Sequence, residues 1–376
     1  MINTTSSLYR YPIVSSAWEP MHLANGDILF NSIYGKHSKI SAPPKYLMEL
    51  VDLCDGEHTV QDIWNKLFEV DVDTKTEDVE NAVRILMDAG ILTENSRRNL
   101  PEWLAEDEYE RYHTLIAWLE KFESNGTLAM DSFKKLQESN VCVIGLGGTG
   151  SLISMMLAAT GIKNITLIDG DVIESSNFVR QIFYSPNEIG LYKVEVMKKK
   201  LLEFSHDMNI TTVPHYINNI KDANKVIDNQ FDFVFLEADA PRILVNRWIN
   251  EVCTKKDIPY IYSFSGQVGP MYIPGKSACF NCLEDHIRSN IGEEHDSIVE
   301  ALQKYRTRKY PSFVSGVTIN SHFQFNDAIG YLTKAFVPVT INSIVRLNGN
   351  SDMPVNIESV PKNPNCVYCG EDSNGR

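Results

Sequence analysis

VCVIGLGGTGSLISMMLAATGIKNITLIDGD, residues 141–171, is the stretch that decides the fold of this chain. The apolar run 141–144 predicts a buried strand, a glycine cluster follows it, and the apolar stretch 151–160 predicts a helix. A second apolar run, 165–168, predicts another strand that ends at Asp169. Strand, glycine turn, helix and strand in this order are typical of a dinucleotide fold. We therefore expect a Rossmann-like α/β domain with a mostly parallel sheet.

The glycine cluster, which comprises Gly145, Gly147, Gly148 and Gly150, predicts a phosphate-binding turn. Glycines let the backbone turn tightly and approach a phosphate, and the N-terminus of the following helix offers free N–H groups and partial positive charge. Asp169 stands at the end of the second strand, where an acidic side chain can accept hydrogen bonds from ribose hydroxyls. This stretch therefore predicts nucleotide binding.

The composition narrows the class of protein. The chain has 376 residues, which suggests two or three domains, and its formal charge of −14 argues against nucleic acid as the main partner. No apolar run is long enough to cross a bilayer, and the N-terminus lacks a signal-peptide pattern. We expect a cytoplasmic protein with no membrane partner. In that reducing compartment the seven cysteines favour metal or thiol chemistry over disulfides.

Residues 1–98 predict a separate small α+β domain with a winged-helix-like arrangement. Asn25-Gly26 is a hairpin signal between short strand-like runs. Three amphipathic helices are expected, from Pro43 to Cys54, from Thr59 (with Asp62 completing a capping box) to Leu67, and from Thr76 to Gly90. The third helix is mostly acidic, which disfavours DNA binding because phosphates would repel it.

The segment YLMELVDLCDGEHTVQDIWNKLFE, together with EDVENAVRILMDAGILTE, resembles the precursor-peptide recognition domain typified by the small chaperone of pyrroloquinoline quinone synthesis (PqqD-like). The resemblance implies that an extended leader peptide adds as a strand to a sheet edge and packs against the third helix. We expect the receiving edge within Asp27–Ser32 and a groove that includes Val83 and Met87. Residues 99–138 then predict a helical linker, and residues 139–376 a nucleotide-binding domain.

Further polar residues follow the glycine turn, and they point to a triphosphate. The candidates are Asp171, Asn177, Arg180, Gln181 and Lys193. A hydride-transfer enzyme needs no second acid, arginine and lysine here, whereas an enzyme that orients a triphosphate must neutralise charge at the reacting phosphorus. Asp239 follows the buried run 231–236 at the carboxyl edge of the predicted sheet, where a carboxylate suits Mg²⁺.

This constellation resembles the ubiquitin-activating-enzyme-like (ThiF-type) adenylating superfamily, which includes the enzymes that activate sulfur-carrier proteins. The resemblance is carried by VCVIGLGGTGS, TLIDGDVIESSNFVRQ, Lys193 and Asp239. It implies that Gly147 lies beside the ATP phosphates, that Asp169 holds the ribose and that Asp239 coordinates Mg²⁺. It further implies that Asn177, Arg180 and Lys193 grip the phosphates. A turn-forming Asn177 and a surface Lys193 remain open alternatives.

Two CxxC pairs, Cys279–Cys282 and Cys366–Cys369, predict a four-cysteine Zn²⁺ site. Four thiolates complete a tetrahedral shell and leave no open position, so we expect a structural site. A redox dithiol is the alternative. Cys54, Cys142 and Cys253 fall in apolar patterns and are expected to be inert core thiols.

The chain departs from the superfamily in two places. Thioester-forming members carry an acceptor cysteine near the crossover loop, but this chain has none from 283 to 365. The linker motif Arg-Tyr-x-Arg-Gln, whose second arginine reaches the partner subunit's ATP, reads Arg111-Tyr112-His113-Thr114 here. A homodimer is still expected, and Thr114 stands where the superfamily has the cross-subunit arginine.

Together, these features favour an enzyme that modifies a ribosomally made precursor peptide in natural-product biosynthesis. It would adenylate a peptide carboxylate, and AMP would then be displaced within the peptide, as in pantocin-type enzymes. The open alternatives are C-terminal nucleotidylation, as in microcin C-type enzymes, activation of a ubiquitin-like sulfur carrier, and an inactive peptide-binding protein.

Overall fold

The computed structural model describes residues 10–32, 35–122, 128–264, 266–292, 294–304, 312–347 and 355–371. The chain forms two compact units, Met1–Ser124 and Asn125–Arg376. Their boundary falls inside the segment that was predicted as a linker. The bounds 1–98, 99–138 and 139–376 therefore stay predictions.

The first unit is an α+β arrangement of small antiparallel sheets and helices. Its strands are β1 (Pro12–Val14), β2 (Trp18–His22), β3 (Ile28–Ser32), β4 (His37–Ile40) and β5 (Leu92–Glu94). Its helices are α1 (Lys45–Leu53), α2 (Val60–Val70), α3 (Thr76–Asp88) and α4 (Glu106–Glu120). β3 lies between β2 and β4, and β1 pairs with β5. The alternating buried residues of β3, Ile28 and Phe30, pack with the apolar faces of α1, α2 and α3.

The predicted capping box and hairpin are confirmed. The Thr59 hydroxyl accepts from the Asp62 N–H at 3.1 Å, and the Asp62 carboxylate accepts from the Thr59 N–H at 3.0 Å. These two bonds satisfy backbone donors that a helix start would otherwise leave unpaired.

Two details of the predicted peptide groove are wrong. β3 pairs with strands on both sides, so no part of Ile28–Ser32 is a free edge that could receive another strand. Val83 is only 3% exposed because its side chain belongs to the core of this unit, and it therefore cannot line an open groove. Met87 is partly buried.

The second unit is built on an eight-stranded sheet in the order β13-β12-β11-β10-β9-β6-β7-β8. The strands are β6 (Asn140–Ile144), β7 (Asn164–Ile168), β8 (Asn209–Val213), β9 (Phe233–Leu236), β10 (Tyr260–Phe264), β11 (Gln267–Val268), β12 (Ser343–Leu347) and β13 (Val355–Ser359). The helices are α5 (Ala129–Glu138), α6 (Gly148–Ala159), α7 (Lys193–Phe204), α8 (Ile220–Val226), α9 (Leu244–Lys255), α10 (Phe280–Ile291), α11 (Glu294–Lys304) and α12 (Val314–Thr333).

The five strands β6 to β10 are parallel and follow the order of a Rossmann-like half-sheet, and β11 to β13 extend the sheet in antiparallel fashion. The predicted α/β class with a mostly parallel sheet is confirmed. The strand order reverses between β6 and β9, and in such sheets ligands bind at the carboxyl ends of the strands at this reversal.

Helix α6 begins at Gly148, three residues before the predicted start, because the last glycines of the loop already form its first turn. Among the described residues, none of the helices is both long enough and apolar enough to cross a membrane.

Candidate functional site

The loop between β6 and α6 contains positions where only glycine fits, because a side chain would collide with neighbouring backbone atoms. Gly145 has φ +92°, and a Cβ there would lie 2.5 Å from the backbone nitrogen of Ala238. A Cβ on Gly150 would lie 1.8 Å from the carbonyl oxygen of Gly145. Both contacts are far below van der Waals distance, so these two glycines are required by packing inside the protein.

Gly147 and Gly148 differ in what they face. A Cβ on Gly148 would lie 2.9 Å from the carbonyl oxygen of Arg180, whereas a Cβ on Gly147 would meet only the Gln181 side chain, at 3.8 Å. Gly147 is the N-cap of α6, next to the N–H groups that a helix start leaves free. The protein therefore leaves space at Gly147, and this is where a phosphate can approach the helix N-terminus.

Asp169 joins the end of β7 to the glycine loop. Its carboxylate accepts from the N–H groups of Leu146 at 2.6 Å and Asp171 at 2.7 Å. Burial raises its pKa, and the nearby Lys193 ammonium opposes that rise. Asp169 thus sets the position of the loop, and its contact with a ribose stays a prediction.

Lys193, the first residue of α7, is only 4% exposed, which excludes the surface alternative. Its Nζ donates to the Asp171 carboxylate at 2.7 Å and lies 4.0 Å from that of Asp169. The segment between Asp171 and Lys193 folds back on itself, and the Lys193 N–H donates to the Asp171 carbonyl at 3.0 Å. A buried cation is thereby held at the carboxyl edge of the sheet.

Asn177, Arg180 and Gln181 lie on the segment between β7 and α7. The Asn177 side-chain oxygen accepts from the Glu174 N–H at 3.0 Å, which is the turn-forming contact of the alternative reading. Arg180 Nη1 donates to the Ser176 carbonyl at 3.1 Å. Gln181 is 2% exposed, and its Oε1 has no hydrogen-bond partner among the described residues. A buried amide oxygen without a partner, on a side chain whose Nε2 faces Gly147, is compatible with a polar ligand there.

The end of β9 carries two acids in different environments. Asp239 is exposed and therefore accessible to a metal ion, and its contact with Mg²⁺ stays a prediction. The Glu237 carboxylate accepts from the Ser263 hydroxyl at 3.1 Å, and burial raises its pKa to about 8, which the nearby Gln324 and Ser263 side chains partly offset. Glu237 is therefore mostly neutral at pH 7 and adds little negative charge to a phosphate site.

Sequence reasoning missed three residues here: Glu237, Tyr184 and Tyr216. The Tyr184 hydroxyl donates to the Leu146 carbonyl at 2.9 Å and thereby helps to fix the position of the glycine loop. The Tyr216 hydroxyl donates to Asp171 at 2.7 Å, and this bond raises the pKa of Tyr216 to about 12. Glu237 and Tyr216 each closely follow a strand end, which is a usable sequence signal, whereas no local pattern distinguishes Tyr184.

The four predicted metal ligands come together and are all buried: Cys279, Cys282, Cys366 and Cys369. Their Sγ atoms all lie within 4.8 Å of one another, with pairs at 3.6 Å and 3.4 Å. Zn–S bonds of about 2.3 Å in a tetrahedron require S···S distances of roughly 3.8 Å. The Asn363 N–H and the Asn281 amide donate to Cys282 and Cys366 at 3.4 Å and 3.5 Å, as expected around thiolate ligands. The donor set therefore fits zinc.

Comparison with known proteins relates this fold and site to one family. The model of the ThiF family matches residues 119–367. SUMO-activating enzyme subunit 2 of Dictyostelium discoideum is 32% identical over 158 residues, 41% of this chain and 23% of that protein. The sulfur carrier protein ThiS adenylyltransferase of Escherichia coli K12 is 28% identical over 162 residues, 42% of this chain and 62% of that protein.

A solved structure of E. coli MccB with AMPCPP and MccA superposes with a TM-score of 0.75 at 22% identity, and covers 96% of this chain and 99% of MccB. At this identity the similarity establishes a shared fold. The matches to the curated relatives span less than two thirds of the length of those proteins.

Proposed function

Because the chain belongs to the ThiF family, we propose that it uses ATP to adenylate a carboxylate of a peptide substrate. The observation that carries this proposal is the buried Lys193 ammonium, which pairs with Asp171 and lies 4.0 Å from the Asp169 carboxylate that also fixes the glycine loop. A buried cation, and a loop that leaves space for phosphate at the N-terminus of α6, are what an ATP site needs.

In the proposed reaction an oxygen of the ionised peptide carboxylate attacks the α-phosphorus of ATP and pyrophosphate leaves. Lys193 and Arg180 stabilise the charge that develops on the phosphates, and Asp169 orients the ribose. No general base is required, because a carboxylate is already ionised at neutral pH. Asp239 would hold Mg²⁺, which supplies charge neutralisation at the phosphates.

A peptide substrate is supported by the first unit, whose segments resemble a precursor-peptide recognition domain. One of the MccB structures is a structure of the microcin C7 biosynthetic enzyme MccB in complex with N-formylated MccA. The MccB structures share the fold over nearly the whole of this chain. This breadth favours a peptide-modifying branch over the sulfur-carrier branch. The absence of cysteine from 283 to 365 also argues against a thioester enzyme.

Because β3 is internal, we propose that β4 is the strand that receives the leader peptide. β2 is the other outer strand of the described sheet, but it contains Pro20, which has no N–H to donate. β4 contains no proline. Ser32 N–H donates to the Lys36 carbonyl, so by alternation His37 and Lys39 direct their backbone polar groups away from β3. These groups can pair with an added strand.

The bond that is finally formed in the peptide depends on whether AMP is displaced or retained. Displacement of AMP by a nucleophile within the peptide would give a cyclised or cross-linked product, whereas retention would give a nucleotidylated peptide. The Cys₄ site would hold Zn²⁺, which ties the C-terminal segment to α10. A homodimer and a cytoplasmic location stay predictions.

The proposal is tested by incubating the protein with Mg²⁺, ATP and short candidate precursor peptides, followed by mass spectrometry. A mass gain of one nucleotide supports adenylation with retention, and loss of one water supports displacement within the peptide. If short peptides stay unchanged but a folded carrier protein reacts, the peptide assignment is wrong and the sulfur-carrier alternative replaces it.

A further inference from the structure

Tyr216 is an aromatic residue at the carboxyl edge of the parallel sheet, three residues after β8 ends. Its hydroxyl is fixed by the 2.7 Å hydrogen bond to Asp171. Nevertheless the residue is 54% exposed. An exposed ring that is anchored at its polar end has a defined orientation and an accessible surface.

The ring rests on Gly170. A Cβ on Gly170 would lie 2.6 Å from Cδ2 and 2.7 Å from Cγ of Tyr216. Only glycine allows the ring to come this close to the backbone. Because Gly170 supports one side of the ring, the exposed fraction belongs to its other parts, where a planar ligand group can lie against it.

The position of Tyr216 across the sheet matches the order of the parts of a nucleotide. The glycine loop follows β6, Asp169 follows β7, and Tyr216 follows β8, and these three strands are neighbours in the sheet. Neighbouring strands lie about 4.8 Å apart, so the carboxyl ends of β6 and β8 are separated by roughly 10 Å. With phosphate at the loop and ribose at Asp169, the next group along the molecule is the base.

We propose that the Tyr216 ring is the platform on which the nucleotide base stacks. This inference rests on the proposed function, because it assigns the third part of the same ATP site. It makes Tyr216 a residue that selects nucleotides over other polyphosphates. The competing explanation is that Tyr216 acts only through its hydroxyl, which orients Asp171 and hence Lys193.

The test compares binding of Mg²⁺–ATP and of Mg²⁺–tripolyphosphate, which has the phosphates but no base, by isothermal titration calorimetry on the full chain. Stacking of a base on an aromatic ring contributes about 1–3 kcal/mol, so Tyr216→Leu should weaken ATP binding by roughly 5-fold to 150-fold and leave tripolyphosphate binding within about 2-fold. Tyr216→Trp, which keeps a π-face, and Tyr216→Phe, which loses only the hydroxyl, should keep most of the ATP affinity.

Phe204→Leu is the matched control, since Phe204 is also an exposed aromatic but ends α7, about 16 Å along the helix from Lys193. Equal ATP binding by Tyr216→Leu and wild type overturns the platform. So does a parallel loss of ATP and tripolyphosphate in Tyr216→Phe, because the hydroxyl would then act through Lys193. Failure of the wild type to bind ATP would overturn the proposed function together with this inference.

Discussion

Gly145 and Gly147 stand two residues apart in one loop, but Gly145 packs against backbone atoms whereas Gly147 faces open space. The same substitution should therefore lower stability at Gly145 and ligand binding at Gly147. Gly145→Ala places a Cβ against backbone atoms at positive φ and should lower the free energy of unfolding by more than about 2 kcal/mol. Gly147→Ala has room and an ordinary φ of −69°, and should cost less than about 1 kcal/mol.

The added methyl group of Gly147→Ala would occupy the approach to the helix N-terminus, and ATP binding should weaken by about tenfold or more. Urea unfolding and calorimetric titration with ATP measure the two effects on both variants. A Gly147→Ala protein that is as unstable as Gly145→Ala would contradict the assignment of Gly147 as the open position.

Cys54 shows how burial controls a thiol. Burial and the neighbouring Asp55 raise its pKa from 9.0 to about 12. The thiolate fraction at pH 8 should therefore be about a thousandfold lower than in the unfolded chain, because each pKa unit is a factor of ten. Alkylation by iodoacetamide, followed by peptide mass spectrometry, should be slow in the native protein and should accelerate about tenfold per pH unit below pH 12.

The same shift has a consequence for stability. The unfolded thiol ionises near pH 9.0, whereas the folded thiol ionises only near pH 12. The contribution of the neutral, buried thiol to the free energy of unfolding is therefore fully present below pH 9.0 and is lost as the pH rises toward 12. Cys54→Ala should lack this component of the alkaline loss. Rapid labelling of native Cys54 at pH 8 would show that the core of the first unit opens locally.

At the scale of elements, the cysteine cluster joins the start of α10 to the C-terminal segment near Cys366. One zinc ion per chain is expected by metal analysis. Because thiolate ligands contribute binding energy only in the folded state, chelation should lower the melting temperature of the second unit and make four additional cysteines reactive. An unchanged melting curve after complete removal of the metal would contradict the structural role.

The outer edge of β4 can be tested through one backbone N–H. His37 is the first residue of β4, a position where proline is tolerated, and its N–H is directed away from β3. His37→Pro should weaken binding of the leader peptide by roughly 5-fold to 10-fold because one interstrand hydrogen bond is lost. Fluorescence anisotropy of a labelled peptide measures the affinity.

His37→Ala is the matched control, since it removes the same side chain and keeps the N–H. The edge assignment fails if the alanine and proline variants bind the peptide equally.

At the scale of the whole molecule, the two units should separate binding from chemistry. Lys193→Gln removes the buried cation of the second unit and should reduce ATP-dependent modification by about 100-fold or more, while leader-peptide binding stays within about 2-fold. His37→Pro should weaken leader-peptide binding and leave ATP binding intact. Lys199→Gln is the control, because Lys199 lies on the same helix but is exposed and paired with Glu203. Modification that survives Lys193→Gln would contradict the phosphate assignment.

Much of the architecture was predictable from local pattern. Apolar runs and glycine spacing identified the strand–turn–helix–strand unit from β6 to β7, because these signals depend on neighbours within a few residues. Helix starts were less accurate: α6 begins at Gly148 because glycines that read as loop residues adopt the first helical turn against β6 and β9. Propensity alone cannot anticipate this, since the packing is tertiary.

The candidate site likewise has features that local sequence predicts and features that depend on tertiary packing. The sequence by itself determined which residues are the candidates for the chemistry: the glycine loop, Asp169, Lys193, Asp239 and the two CxxC pairs, since each residue type has limited uses at such spacing. Only the tertiary structure decided that β3 is internal, that Asp171 holds Lys193, and that Tyr216 lies on Gly170. These facts depend on strand order and on contacts between residues far apart in the chain, and such contacts form only when the sheet assembles.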